Sequence, residues 1–376
     1  MNSKRRSTKS LEMLAITVVV WCAVFAICAA KLDDSDSKPC TVTVAVGESI
    51  QAAVDSVADG GVVCLESGVY EESFVIRKSL TLRGSGPDPA STRISSPSVE
   101  FLEDAGRLAL VRVGEWEDSG RIEVHIENLS IGGEIAWASY ALETVGQATL
   151  LMSDCEIGPS TGVGLQLSGS SRATIERTVI HDNMGYAGFN AQETSVGTIR
   201  NCEIVRNDGA NVESCGSSQV MVCSTQILDC PGNHGIWIAD RGSVAAEDCV
   251  ITGNHLEGVS VNGQGEVSIS NCDISENGHC GVWVRDSGQA TVIDSALTNN
   301  GESGVTVWDL ATVVLERNEI NRNAEWGVFY EERTSAARFR ITGCGNSIED
   351  ERGVWKNRAG DVFPDSLGNL QYPCRN

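Results

Sequence analysis

Aromatic side chains make up only 5% of the 376 residues. A single thick core usually draws on Phe and Tyr, so this chain must close its interior with Val, Ile, Leu and Ala, which favours a stack of thin layers. Proline is scarce at 8 residues beside 39 glycines. That balance disfavours a disordered or collagen-like chain and suits many tight turns between short strands. Lysine almost disappears, with Lys356 the only one beyond Lys78. Basic charge as a whole is short, 28 Lys and Arg against 51 Asp and Glu, for a net charge of −23. Such a surface repels phosphate backbones, which removes nucleic acid from the expected partners. It also repels polyanionic glycans unless Ca2+ bridges them, so no cofactor is expected otherwise.

One long apolar run is present, Leu14–Ala30, behind Lys4, Arg5, Arg6 and Lys9 and ending in Cys28-Ala29-Ala30. This pattern predicts an export signal over residues 1–30, with retention as an N-terminal anchor as the alternative. A polar linker follows over 31–41. The expected location is extracytoplasmic: secreted, periplasmic or surface-exposed. Twelve of the 14 cysteines lie beyond residue 30, where disulfides are permitted.

Self-similarity dominates the rest of the chain. A small residue recurs at Cys155, Thr178, Cys202, Thr225, Cys249, Cys272, Ser295 and Asn318, at spacings of 23 or 24. Two residues after each comes an apolar column, Ile157, Ile180, Ile204, Ile227, Ile251, Ile274, Leu297 and Ile320. An Asn column follows at 183, 207, 254, 277, 300 and 323, broken by Cys230. A Gly column then opens alternating strands at 164, 188, 235, 258, 281, 304 and 327, with Asn211 replacing one member. Alternation turns Val282, Val284, Val305 and Val307 inward. Strands that stack on their own copies bury a continuous core which no single coil could close. The expected fold is all-β, a single-stranded parallel β-helix over residues 42–357, with about ten coils of about 23 residues. The Asn column is expected to form an axial amide ladder. Four cysteines on the repeat register, Cys155, Cys202, Cys249 and Cys272, are expected as buried thiols. Cys40–Cys64 and Cys344–Cys374 are the more plausible disulfides. Amphipathic Ser49–Val57 predicts a short N-terminal capping helix, and 358–376 a C-terminal cap or tail.

The run Ser49-Ile-Gln-Ala-Ala-Val, then Gly68-Val-Tyr-Glu-Glu, then Lys78-Ser-Leu-Thr-Leu-Arg-Gly resembles the first coil of pectin-lyase-like proteins. The later N-x-x-x-G-[VI]-x-V coils resemble the right-handed β-helix repeat region of that superfamily. The resemblance implies right-handed coiling and leaves activity open among polysaccharide lyases, glycoside hydrolases, epimerases and non-catalytic relatives. No specific enzyme signature of the superfamily is matched. Cys230-Pro-Gly-Asn-His234-Gly resembles one polygalacturonase rung, but the expected Asp pair and the R-x-K are missing.

One strand face remains. Two residues after each Gly-column position, Gln166, Asn190, Glu213, Trp237, Ser260, Trp283, Thr306 and Phe329 point outward; two residues later Asn262, Arg285 and Trp308 do the same. Trp237, Trp283, Trp308 and Phe329 are expected to bind sugar rings. Asp240, Arg285, Asp286 and Asp309 are the candidate catalytic groups, since carboxylates on adjacent rungs can serve as acid and base. His234, His255 and His279 read as surface residues at mismatched positions, and no metal site is expected. The functional expectation is an exported β-helix that binds, and in its stronger form processes, a polysaccharide or cell-surface glycan. The alternative is a non-catalytic structural or adhesive surface β-helix, or a periplasmic accessory protein. The oligomeric state is open.

Overall fold

The computed structural model describes residues 38–96, 109–116, 120–134, 139–331, 340–348 and Cys374. The export signal or anchor at 1–30, the linker up to residue 37, and the 358–376 tail other than Cys374 lie outside the described residues.

Each regular coil lays down three short strands, for example Glu266–Ser270, Asp273–Ser275 and Val282–Val284. Every strand pairs in parallel with its counterparts one coil away, as Val267 does with Val244 and Ala290. The described strands form three parallel sheets of 13, 12 and 11 strands, named first, second and third in the order the chain visits them. That makes about twelve turns rather than ten. The uncounted turns lie in the N-terminal third, where first-sheet strands Gly61–Leu65, Leu80–Gly84 and Glu123–Glu127 are separated by unequal connections. The Asn and Gly columns do not run through these turns, so periodicity alone could not find them. Inside, the apolar column from Ile157 to Ile320 is fully buried, as are Val282, Val284, Val305 and Val307. Each such side chain contributes about 1.5–3 kcal/mol relative to exposure.

Three corners per coil require three left-handed backbone positions. After the first sheet these are Asp154, Arg177, Asn201, Ser224, Asp248, Asn271, Asp294 and Arg317, all with φ between 47° and 55°. After the second come Asp182, Arg206, Asp229, Glu276, Asn299 and Arg322; after the third, Glu193, Asp240, Asp286 and Asp309 are interspersed with Gly146, Gly169, Gly216 and Gly263. L-residues resist this conformation by about 1–2 kcal/mol, and Gly, Asn and Asp, which resist it least, fill most of these positions, with Arg, Ser and Glu at the rest.

Two hydrogen-bonded ladders hold the corners in register. Behind the second sheet, Asn183 Nδ2 donates to Asn207 Oδ1 at 2.9 Å, and Asn254, Asn277, Asn300 and Asn323 continue the chain at 2.8–3.0 Å. From Asn207 onward each side-chain oxygen also accepts the backbone N–H of the preceding coil, as Asn277 does from Asn254 at 3.2 Å. The Gly column is the steric partner of this ladder: a Cβ on Gly235, Gly258 or Gly281 would lie 2.8–3.0 Å from an Asn Nδ2. At the break, Asn211 reaches across from the Gly column. It accepts from Asn207 Nδ2 at 2.8 Å and donates to Asn254 Oδ1 at 3.1 Å, bridging the coil where Cys230 stands. The second ladder uses the small-residue column, where Thr178 and Thr225 Oγ1, Cys272 Sγ and Ser295 Oγ each accept the N–H of the coil before.

At the N-terminal end the helix α1 (Ile50–Ser56) plugs the solenoid, with Ile50 and Val54 buried. Ser49 Oγ accepts from Ala52 N–H at 3.2 Å, and the Glu72 carboxylate accepts from the N–H groups of Ile50 and Gln51. Gln51 donates to the carbonyl of Val75 and accepts its N–H, which closes the edge of the third sheet. Cys40–Cys64 and Cys344–Cys374 are disulfide-bonded. Cys155, Cys202, Cys249 and Cys272 are buried free thiols. Burial pushes the first two up to about 12, which makes them poor nucleophiles.

Replacing Asn277 with Ala should strand the buried backbone N–H of Asn254, take the shortest partner from its Nδ2 and cost about 1–3 kcal/mol in denaturant titration. An unchanged midpoint would show that the ladder is not stabilising. Alkylation read by mass spectrometry should label Cys155, Cys202, Cys249 and Cys272 only after unfolding, without need of reductant.

Candidate functional site

The outward face of the third sheet carries one continuous column in strand register. Its N-terminal half reads Arg112, Glu143, Gln166, Asn190 and Glu213. The C-terminal half continues with Trp237, Ser260, Trp283, Thr306 and Phe329. Outward direction follows from strand alternation, as expected from the sequence, but accessibility does not. Gln166, Asn190 and Glu213 are 0%, 1% and 6% exposed. Tyr186, in the turn that leads into the next third-sheet strand, donates its hydroxyl to Gln166 Oε1 at 3.1 Å. Arg112 Nε donates to Glu143 Oε2 at 2.7 Å and neutralises it. This half is therefore a buried polar seam rather than an open row of acceptors, and only its Glu213 end borders the half-buried Trp237.

The C-terminal half is aromatic and half-buried. Trp283 and Trp308 meet edge to face, centroids 4.6 Å apart at 88°. The Arg285 guanidinium lies 4.5 Å over the Trp283 ring and donates from Nε to Asn262 Oδ1. A cation held on an indole face and an amide is fixed in orientation. Ser260 and Thr306 are buried between the larger rings. Phe329 and Trp237 complete the row at either end of this cluster, both half-buried.

The candidate acids lie at the far corner. Asp240, Asp286 and Asp309 occupy the left-handed position closing the third-sheet strand, Asp286 and Asp309 on consecutive coils and Asp240 two coils earlier. Asp240 Oδ2 accepts the N–H of Gly216 at 3.2 Å, and Asp286 Oδ2 that of Gly263 at 2.9 Å. Both carboxylates thus hold the turn of the preceding coil. Arg285 turns to Asn262 and Trp283 rather than to either aspartate.

The opposite corner holds a cluster that was not legible as a unit. His234 Nδ1 lies 2.7 Å from Glu257 Oε2, and His279 Nδ1 lies 3.5 Å from Glu257 Oε1 and 3.8 Å from Glu302 Oε1. Glu257 is buried. Burial, the largest single effect, would raise its pKa, but the hydrogen bond and charge of His234, with His279 behind, hold it below the usual range. The expectation of surface histidines at mismatched positions is corrected in part: His234 is largely buried and converges with His279 on one carboxylate, while His279 and His255 do reach the surface. Their columns differ by one residue, which a strict periodic reading treats as mismatch; the turn brings them together. Among the described residues no group of three or more His, Cys, Asp or Glu is placed to hold a metal ion.

Glu213, also unremarked in the sequence beyond its position, is the most perturbed acid. Burial pushes it up to about 7, with hydrogen bonds from Asn190 and Cys215 opposing. Glu143 is likewise raised by burial, against the pull of Arg112.

Parallel stacking, left-handed corners and an axial Asn ladder together define a β-helical solenoid bearing one aromatic and acidic face. A family model described as "Right handed beta helix region" matches residues 116–254 and 215–355, and the chain belongs to that family. No curated protein matches the sequence. Among solved structures, the A-module of a mannuronan C-5 epimerase from Azotobacter vinelandii is similar, with 17% identity and a TM-score of 0.59 over 84% of this chain and 95% of that one. A periplasmic alginate epimerase is similar at 12% identity and a TM-score of 0.60, covering 84% of this chain and 82% of that one. The catalytic unit of a thermostable α-1,3-glucanase from Streptomyces thermodiastaticus shows 14% identity and a TM-score of 0.54, covering 89% and 73%. At these identities the likeness is one of fold.

The raised acid gives a pH prediction. Folded Glu213 keeps its proton up to about pH 7, whereas the unfolded chain loses it near the usual 4.5. The folded state therefore holds the extra proton within that window. The stability this group contributes is complete below pH 4.5 and lost as pH rises through 7, about 3 kcal/mol in all. In Glu213→Gln, urea titrations from pH 4.5 to 8 should lose that slope; an identical slope in both proteins would refute the assignment.

Proposed function

We propose that the chain is an extracytoplasmic protein that binds a polysaccharide along the C-terminal half of the third-sheet face. The observation that carries this reading is the Trp237–Trp283–Trp308–Phe329 row, with Arg285 fixed on Trp283 and Asn262. Indole and phenyl faces cover the C–H face of a sugar, and the polar groups between them orient its hydroxyls. The rungs repeat every ~4.8 Å, so the platform is regular along the axis, as a repeating ligand requires. The epimerase and glucanase neighbours, which by their names act on polysaccharides, support the same class of ligand.

On this reading Asp240, Arg285, Asp286 and Asp309 are the groups at the strand ends that would act on a bound chain. A glycan array followed by reducing-end and unsaturated-product assays separates binding from turnover. Trp283→Ala should lower affinity at least about tenfold, since the substitution removes a stacking face and the seat of Arg285. Asp286→Asn should abolish turnover while leaving binding in place. Binding without turnover by the unaltered protein would favour the adhesive or accessory alternative, and absence of glycan binding would remove the proposal. A neutral glycan should bind without calcium, whereas a uronate polymer should need it to offset the net charge of −23.

A further inference from the structure

Resting on the glycan reading, we infer that Trp237, Asn190 and Glu213 form a subsite for the ammonium group of an amino sugar, which makes a cationic polysaccharide the preferred ligand. The starting observation is a pair of unmet acceptors. Glu213 is met by the Asn190 amide and the Cys215 thiol, yet Asn190 Oδ1 and Glu213 Oε2 are buried acceptors that no side chain or backbone donor reaches. They lie on adjacent rungs of one column, and Glu213 is directly opposite Trp237 on the next. A buried acceptor without a donor costs about 1–3 kcal/mol, so two neighbouring ones call for a group that brings donors.

Charge decides what kind of donor. An ammonium offers three donors and a positive charge, whereas a sugar hydroxyl offers one donor and adds acceptor capacity of its own. The cations already on this face are engaged: Arg112 with Glu143, Arg285 with Asn262 and Trp283. His234 stands beside Trp237, ring centroids 6.5 Å apart, but is held by Glu257. Asp240 closes the same strand as Trp237 and adds negative charge at its end. Arg285 over Trp283 shows how an indole on this sheet seats a cation, and Trp237 presents the same ring type with an acid on the neighbouring rung. The net charge of −23 favours the approach of a polycation and opposes a polyuronate. Burial holds the Glu213 proton on near neutrality, and an arriving ammonium favours its release, so binding should expel a proton.

The test uses the full chain and three oligosaccharides of equal length: glucosamine, N-acetylglucosamine and mannuronate. Isothermal titration at about pH 5.5 keeps the sugar amines charged, although their ring oxygens lower their basicity, and keeps Glu213 protonated before binding. Glucosamine should bind at least about tenfold more tightly than its N-acetyl counterpart, with an advantage that shrinks as salt rises. Heats in buffers of different ionisation enthalpy should show proton release with glucosamine alone. Glu213→Gln, the isosteric neutral change, should remove the advantage and the proton release. Equal affinities, or tighter binding of the neutral or uronate oligomer, would overturn the amino-sugar subsite and leave the glycan platform standing. Binding of none of these sugars, with none on the array, would defeat both. The comparison of sugars on the unaltered protein decides the matter even where the variant is unstable.

Discussion

Everything in this molecule depends on repeating the same three corners in register. A strand in a parallel stack gains its backbone partners only if the next coil returns to the same place, and each corner exposes N–H groups that no strand can satisfy. The Asn ladder and the Thr, Ser and Cys ladder meet that demand by accepting an N–H from the coil before. Once the Asn side chains occupy the second corner, the residue facing them must lack a Cβ, and the Gly column follows. Sequence period, backbone conformation and packing are thus one constraint seen three times.

The same constraint builds the outward face and limits it. Register aligns side chains into columns, so a run of large rings forms a platform and a run of amides and acids forms a seam. The carboxylates at the third corner show how one residue type is drawn into two roles. Asp240 and Asp286 border the aromatic platform, yet each also binds the backbone of its neighbour coil. Their replacement tests architecture as well as chemistry, which is why binding must be followed alongside turnover.

How much could be read beforehand divides along this line. The apolar, Asn and Gly columns repeat at a fixed spacing, and the inward burial of Ile251 or Val284 follows from alternation alone. Trp237, Trp283 and Phe329 face outward for the same reason. Contacts set by turns were not legible: His234 and His279 occupy different columns, and only the path of the corner places both on Glu257. Burial of Gln166 beneath Tyr186 was also hidden, because alternation gives direction and not cover. The extra N-terminal turns carry no marker residue repeated within them, so periodicity does not reveal them.

The bridge made by Asn211 has a genetic consequence. Asn183 to Asn323 would be an unbroken series but for Cys230, and the amide missing there is supplied from the Gly column one coil earlier. Either position alone is constrained by the other. Restoring Asn at 230 would crowd an occupied site, and restoring Gly at 211 would leave Asn207 and Asn254 without a link. The two changes made together recover the regular pattern. This pair is a case of sign epistasis within a repeat: two separately harmful steps lie between two sound sequences, so an irregularity once fixed in a solenoid tends to persist.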